Sequence, residues 1–137
     1  MFKKGDIYIG KYEYKACALN GKIQVGNDRQ QMEILDVKDN IFTVRFYYNW
    51  DNVTRKYKNN AIGIGLFNKR NKTFHILETL NEQPIVNLVV PPFDITLVKG
   101  KYNSNKIYIN LLEAVNNEKG DPNKLILFSL ETYMYKQ

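Results

Sequence analysis

The chain reads as all-β, a single antiparallel barrel of about eight to ten strands over residues 1–137, with a β-sandwich as the alternative. Three features carry this reading. Apolar and polar residues alternate with period two, turn residues recur at short spacing, and no long stretch holds a helical period.

Residues 6–14 put Tyr8, Gly10, Tyr12 and Tyr14 on one face, with Ile7 and Ile9 on the other. Asn20-Gly21 and Gly26-Asn27-Asp28 read as turns. Gln31–Val37 and Ile41–Trp50 flank Lys38-Asp39-Asn40 as a hairpin. In the second strand Phe42, Val44, Phe46, Tyr48 and Trp50 share a face, opposite Ile41, Thr43, Arg45, Tyr47 and Asn49. A polar loop over 51–60 leads to Ala61–Phe67, and the loop Asn68–Lys72 leads to Thr73–Leu77. Ile85–Val90 is an apolar run stopped by Pro91-Pro92, after which Phe93, Ile95 and Leu97 are expected inward. Gly100–Asn105 reads as a turn into Lys106–Leu112, and Gly120–Asn123 turns into the closing strand Lys124–Tyr135. Residues 28–37 and 111–119 could each hold one helical turn.

Large side chains on both faces favour the barrel. Leu125 and Leu127 oppose Ile126, Phe128 and Leu130, and Tyr47 opposes Phe46 and Tyr48. A barrel encloses side chains or a ligand while its outside meets a partner, whereas a sandwich leaves its outer faces wet.

Composition narrows the classes. One cysteine cannot form an internal disulfide or a cysteine-based zinc site. The start of the chain is basic, but no apolar signal-peptide core follows, and no apolar run reaches the ~18 residues of a membrane helix. A soluble, cytoplasmic protein without membrane attachment is the expectation. The 17 asparagines, 16 lysines and four alanines point to AT-rich codon usage. Such a compact chain would suit a phage or viral accessory protein in the host cytoplasm. The same bias explains the sequons at Asn52 and Asn71 as chance matches.

Net charge is +6, and it is uneven: residues 1–72 carry 14 bases and 7 acids. Arg55, Lys56 and Lys58 enter the strand 61–67, and Lys69, Arg70 and Lys72 leave it, so the two triplets are expected at opposite ends of the sheet. Lysine outnumbers arginine 16 to 4, unlike a surface built on bidentate phosphate contacts.

Gly10-Lys11-Tyr12 on the first strand resembles the glycine-x-aromatic opening of the calycin barrels, the lipocalins, avidin-like and fatty-acid-binding proteins. Those families usually carry Trp where Tyr12 stands, and an avidin-like layout with short loops departs least. The resemblance implies an up-and-down barrel with a ligand pocket at one end.

No catalytic set emerges. Cys17 has no local feature that would lower its pKa, and His75 is the one histidine. Neither a metal nor a cofactor is expected. Asp36 with Asp39, and Glu78 with Glu82, suit turn hydrogen bonding better than acid–base work. Gly63-Ile64-Gly65 lies among β-formers, which fits a strand bend or a close backbone approach rather than a phosphate loop. The aromatic residues are the stronger lead, because bases stack on rings beside cations. The expected function is therefore non-enzymatic binding of a small, anionic or nucleotide-like ligand in a cavity lined by Tyr12, Tyr14, Arg45, Tyr47, Trp50, Tyr108 and Tyr133. Two alternatives stand beside it: a protein-interaction module, with a second copy of itself among the candidate partners, and nucleic-acid binding through the basic first half.

Overall fold

The structure is a computed structural model that describes residues 1–18, 21–79, 95–116 and 125–137. The described chain is strand and turn: β1 (Ile7–Ala18), β2 (Ile23–Lys38), β3 (Ile41–Asp51), β4 (Lys56–Asn68), β5 (Thr73–Thr79), β6 (Ile95–Asn103), β7 (Lys106–Asn116) and β8 (Leu125–Lys136). Each strand pairs antiparallel with the next, and β8 returns to β1, giving a closed eight-stranded up-and-down barrel. Closure excludes the sandwich. It also removes free sheet edges, which suits strands this rich in aromatic and β-branched residues.

Several local expectations are corrected. Gly26-Asn27-Asp28 is not a turn but part of the 16-residue β2. Gly26 stands opposite Tyr14, and a Cβ there would run into the Tyr14 ring, so this glycine makes room for a side chain. The helical turn at 28–37 is strand as well, and 111–116 belongs to β7. The loop at 51–60 shrinks to the turn 52–55, because β4 begins at Lys56. Gly100 lies within β6, whose turn is Ser104-Asn105. Leu97 faces outward at 44% exposed while Val98 is fully buried, the reverse of the expected face. With Thr, Leu and Val in succession, the apolar pattern of β6 does not mark its inner face. The run Ile85–Val90, Pro91-Pro92, Phe93 and the turn Gly120–Asn123 lie outside the described residues.

An eight-stranded barrel is just wide enough for side chains to fill. Here Tyr8, Met32, Ile34, Phe42, Val44, Phe46, Phe74, Ile76, Val98, Ile107, Ile109 and Met134 are all fully buried within the wall. One end is sealed by the first residues of the chain. Phe2 sits among Tyr8, Phe42, Phe67, Phe74 and Tyr102, with ring centroids 4.9–5.8 Å away. Gly5 N donates to Ile34 O and Ile34 N to Asp6 O, which ties the segment to β2. Tyr102 Oη donates to Met1 O, Tyr8 Oη donates to Ser104 O, and Lys136 pairs with Asp6 at 3.0 Å. The turns at 39–40, 69–72 and 104–105 surround this end, and the turn at 52–55 lies at the opposite end.

Glycines fit the large rings into this narrow wall. Gly65 faces Phe42 and Gly100 faces Phe74 in direct cross-strand pairs, each ring lying where a Cβ would be. The close approach expected for Gly63-Ile64-Gly65 is thus made by core side chains.

Burial raises the pKa of Tyr8 and Tyr12, assisted by Tyr102 and Asp6 at Tyr8 and by the Asp28 carboxylate at Tyr12. An unfolded phenol ionises near pH ~10. These two groups therefore contribute stability that is fully present below that pH and is lost as pH rises through their raised values. Urea unfolding is expected to need less denaturant as the pH climbs above about 10, with the phenolate absorbance of these two rings appearing only on unfolding. A midpoint independent of pH in that range would contradict this.

Candidate functional site

The seven aromatic and cationic residues expected around one internal cavity are divided by the wall. Tyr12 and Tyr14 face inward; Tyr12 is 8% exposed, and Tyr14 packs against Phe128 with ring centroids 5.0 Å apart. Arg45, Tyr47, Tyr108 and Tyr133 alternate with buried neighbours and lie on the outside. Tyr47 Oη donates to Glu33 Oε2 at 3.0 Å, and Arg45 stands opposite Glu33. Among the described residues, the wall separates the seven rather than gathering them around one cavity.

What the register assembles instead is an external belt. Across the outside of β6, β7 and β8, Lys101 stands opposite Tyr108, and Tyr108 opposite Tyr133, with the two rings 5.3 Å apart. One strand further on, Lys11 of β1 stands opposite Arg29 of β2. Between Tyr133 and Lys11 runs the β1–β8 seam, whose regular pairing skips residues 10–12. There the Thr132 hydroxyl donates to Lys11 O at 2.9 Å, replacing a ladder bond. A Cβ on Gly10 would stand 2.5 Å from Tyr133 O, so the close approach of the two backbones at this seam requires glycine.

The belt ends on Trp50. The Arg29 guanidinium lies 4.5 Å from the Trp50 ring centre, and Tyr57 meets the same indole edge-on at 4.9 Å. Arg29 Nε is buried without a hydrogen-bond partner among the described residues. Asp28 fixes the local backbone: its Oδ1 accepts from Arg29 N at 2.7 Å and Trp50 N at 3.3 Å, while Oδ2 accepts from Tyr12 Oη at 3.4 Å. At the other end Lys106 Nζ sits 4.1 Å from the Tyr133 ring centre and 5.8 Å from that of Tyr135.

Two overlapping grooves follow the belt. One, of about 730 Å³, runs between Tyr133 and Tyr135 on β8 and Lys11 and Arg29. The second, of about 620 Å³, continues past Lys11 and Arg29 to Trp50 and Asn52. Glu13 and Glu131 stand directly opposite each other on one side, with Asn110 Nδ2 donating to Glu131 Oε1 at 2.9 Å. Burial raises the Tyr108 pKa, and the Glu131 carboxylate adds to the rise.

Of the seven residues, Trp50, Tyr108 and Tyr133 fall on the external belt and Tyr12 borders its grooves, where they stand beside Lys11, Arg29, Lys106 and Tyr135, which the sequence reading does not include in its cavity. Arg29 was hidden by the turn reading of the preceding residues. The usable signal was period two: Arg29, Gln31 and Glu33 alternate with the buried Gln30, Met32 and Ile34.

The basic loops do lie apart. Arg55 is in the β3–β4 turn, Lys56 and Lys58 begin β4, and Lys69, Arg70 and Lys72 form the turn after it, a strand of 13 residues away. Lys58 is 3.7 Å from Asp51. Cys17 and His75 stand on β1 and β5, diametrically opposed in the strand order. Among the described residues no three His, Cys, Asp or Glu side chains gather to hold a metal, and no helix is long and apolar enough to cross a membrane.

A second surface lies on the other side of the barrel. Ile64, Leu77, Leu97 and Leu112 are direct cross-strand neighbours on β4 to β7, each 44–58% exposed. Leu66 and Ile41 extend this row.

Fold and groove together define an all-β, eight-stranded up-and-down barrel with an aromatic–cation belt on its outside. Compared with known proteins, the chain matches no family model, no curated protein and no solved structure.

Proposed function

We propose that this barrel is a non-enzymatic binding protein for an anionic, nucleotide-like ligand, held in the external groove between Tyr133 and Trp50. The observation that carries the reading is the Arg29 guanidinium stacked on Trp50 with its Nε unpaired, at the edge of a groove that also holds Lys11. A planar ring stacks on the aromatic faces, and Lys11 and Arg29 meet its phosphate or carboxylate. Asp28 also borders the groove, its carboxylate held by two backbone N–H groups and the Tyr12 phenol. Calycin kinship would place a ligand inside one end of the barrel; among the described residues the interior is filled by core side chains, which favours the outer groove.

Trp50 is the one tryptophan in the chain, so it reports directly on occupancy. Titration with AMP or ATP is expected to quench its emission saturably. Arg29→Gln is expected to weaken that binding by about tenfold or more, with little change in melting temperature. Unchanged emission and an unshifted melting temperature at millimolar nucleotide would contradict the proposal.

A second reading, a protein-interaction module, rests on the exposed row Ile64, Leu77, Leu97 and Leu112. Uncharged aliphatic rows of this kind mark contact surfaces. Sedimentation equilibrium of the wild type against Leu77→Lys tests it: a monomer in both cases removes self-association.

A further inference from the structure

The groove offers more than one ring needs. Tyr133, flanked by Tyr108 and Tyr135, forms one stacking station on β7 and β8, and Trp50 forms another on β3. Three strand spacings separate β8 from β3, about 14 Å along the belt. A mononucleotide has one base and stacks at one station. Between the stations stand Lys11 and Arg29, and beyond Tyr133 stand Lys106 and Lys101, so a pair of cations separates the two ring stations along the outside of β6–β7–β8–β1–β2–β3 and further cations flank the first.

Resting on the binding reading above, we infer that the ligand of this groove is single-stranded nucleic acid, a segment of a few nucleotides whose bases stack on Tyr133 and Trp50 while its phosphates pass Lys11 and Arg29. Aromatic platforms set along a basic track are how single strands are held without sequence preference. A duplex keeps its bases stacked on one another and offers no ring to either station. Glu13 and Glu131 mark the opposite side and repel phosphate, which confines the backbone to the cationic side. The acids give the inference a further signature: neutralising them strengthens binding.

The test is fluorescence anisotropy with 5′-labelled oligothymidylates and oligouridylates of increasing length, with a mononucleotide and a duplex as competitors. Affinity is expected to rise as the strand grows long enough to reach both stations and then to level off. Log K against log salt is expected to fall with a slope of about −2, from two phosphates neutralised at ~0.7 each plus a partial contribution from Lys106. Tyr133→Ala and Trp50→Phe are each expected to weaken the long strand, the first by about tenfold. Glu13→Gln with Glu131→Gln is expected to tighten it. Equal affinity for mononucleotide and long strand overturns the inference and leaves the binding reading standing, and absence of both interactions overturns both. Long-strand binding that is insensitive to Tyr133→Ala but abolished by Lys69→Gln with Arg70→Gln places nucleic acid at the sealed end instead and overturns the inference. Duplex competing as well as the single strand overturns it too.

Discussion

Phe2→Ala is expected to cost about 3–5 kcal/mol of unfolding free energy, read from the shift in urea midpoint at constant slope. Phe2 is 2% exposed and touches five rings contributed by β1, β3, β4, β5 and β6, so its removal leaves a void that no single neighbour can fill. The plug is also held by backbone bonds from Gly5 and Ile34 and by the Asp6–Lys136 pair, which keep the segment in place while the void stays open. Phe2→Leu retains most of the volume and is expected to cost less than half as much. A loss below 1 kcal/mol in Phe2→Ala would mean that the first residues lie outside the cooperative core.

Gly100→Ala is expected to destabilise by about 3 kcal/mol, an unusual effect for a single added methyl group. The new Cβ would overlap the Phe74 ring and stand 2.7 Å from Tyr108 O. The ring is fully buried and the carbonyl belongs to a paired strand, so neither can retreat cheaply. Phe74→Leu on its own loses packing, yet in the Gly100→Ala background it is expected to recover part of the loss, a coupling that a double-mutant cycle measures. Additive costs would show that the ring and the glycine are not fitted to each other. Lys101→Ala, one position along and facing outward, is the control and is expected to be near neutral for folding.

The barrel was legible because its strands alternate cleanly. Phe42, Val44 and Phe46 in β3, and Ile107, Ile109 and Leu111 in β7, are the buried faces that period two indicates. Misreadings arose where glycine stood for something other than a turn. Gly26 and Gly100 lie in strands, making room for Tyr14 and Phe74, and that requirement exists only once the cross-strand partner is known. Phe2 has no periodic neighbours, so its role as a plug arises solely from closure of the wall. In β2 the pairing shifts between Ile34 and Asp36, which carries the inward face from Ile34 to Val37 and blurs the period near the hairpin.

The candidate site was legible in residue type and illegible in placement. Rings and cations stand out in the sequence by type, but alternation alone does not say which face of a barrel strand is inside when both faces are apolar. Tyr108 and Tyr133 lie outside because Ile107, Ile109 and Met134 take the core. The meeting of β1 with β8 beside Tyr133 joins segments more than 100 residues apart in sequence, and the pairing of Lys11 with Arg29 depends on β2 running through the glycine that reads as a turn.

Where a ligand meets this barrel is read directly by amide chemical-shift mapping. On addition of a short oligothymidylate, the shifts are expected to move along residues 9–13, 29–31, 50–52, 106–108 and 131–135, with the amides around Phe2, Phe42 and Phe74 unmoved. Changes centred on those core amides, or on the turn at 69–72, would contradict the outer-groove placement.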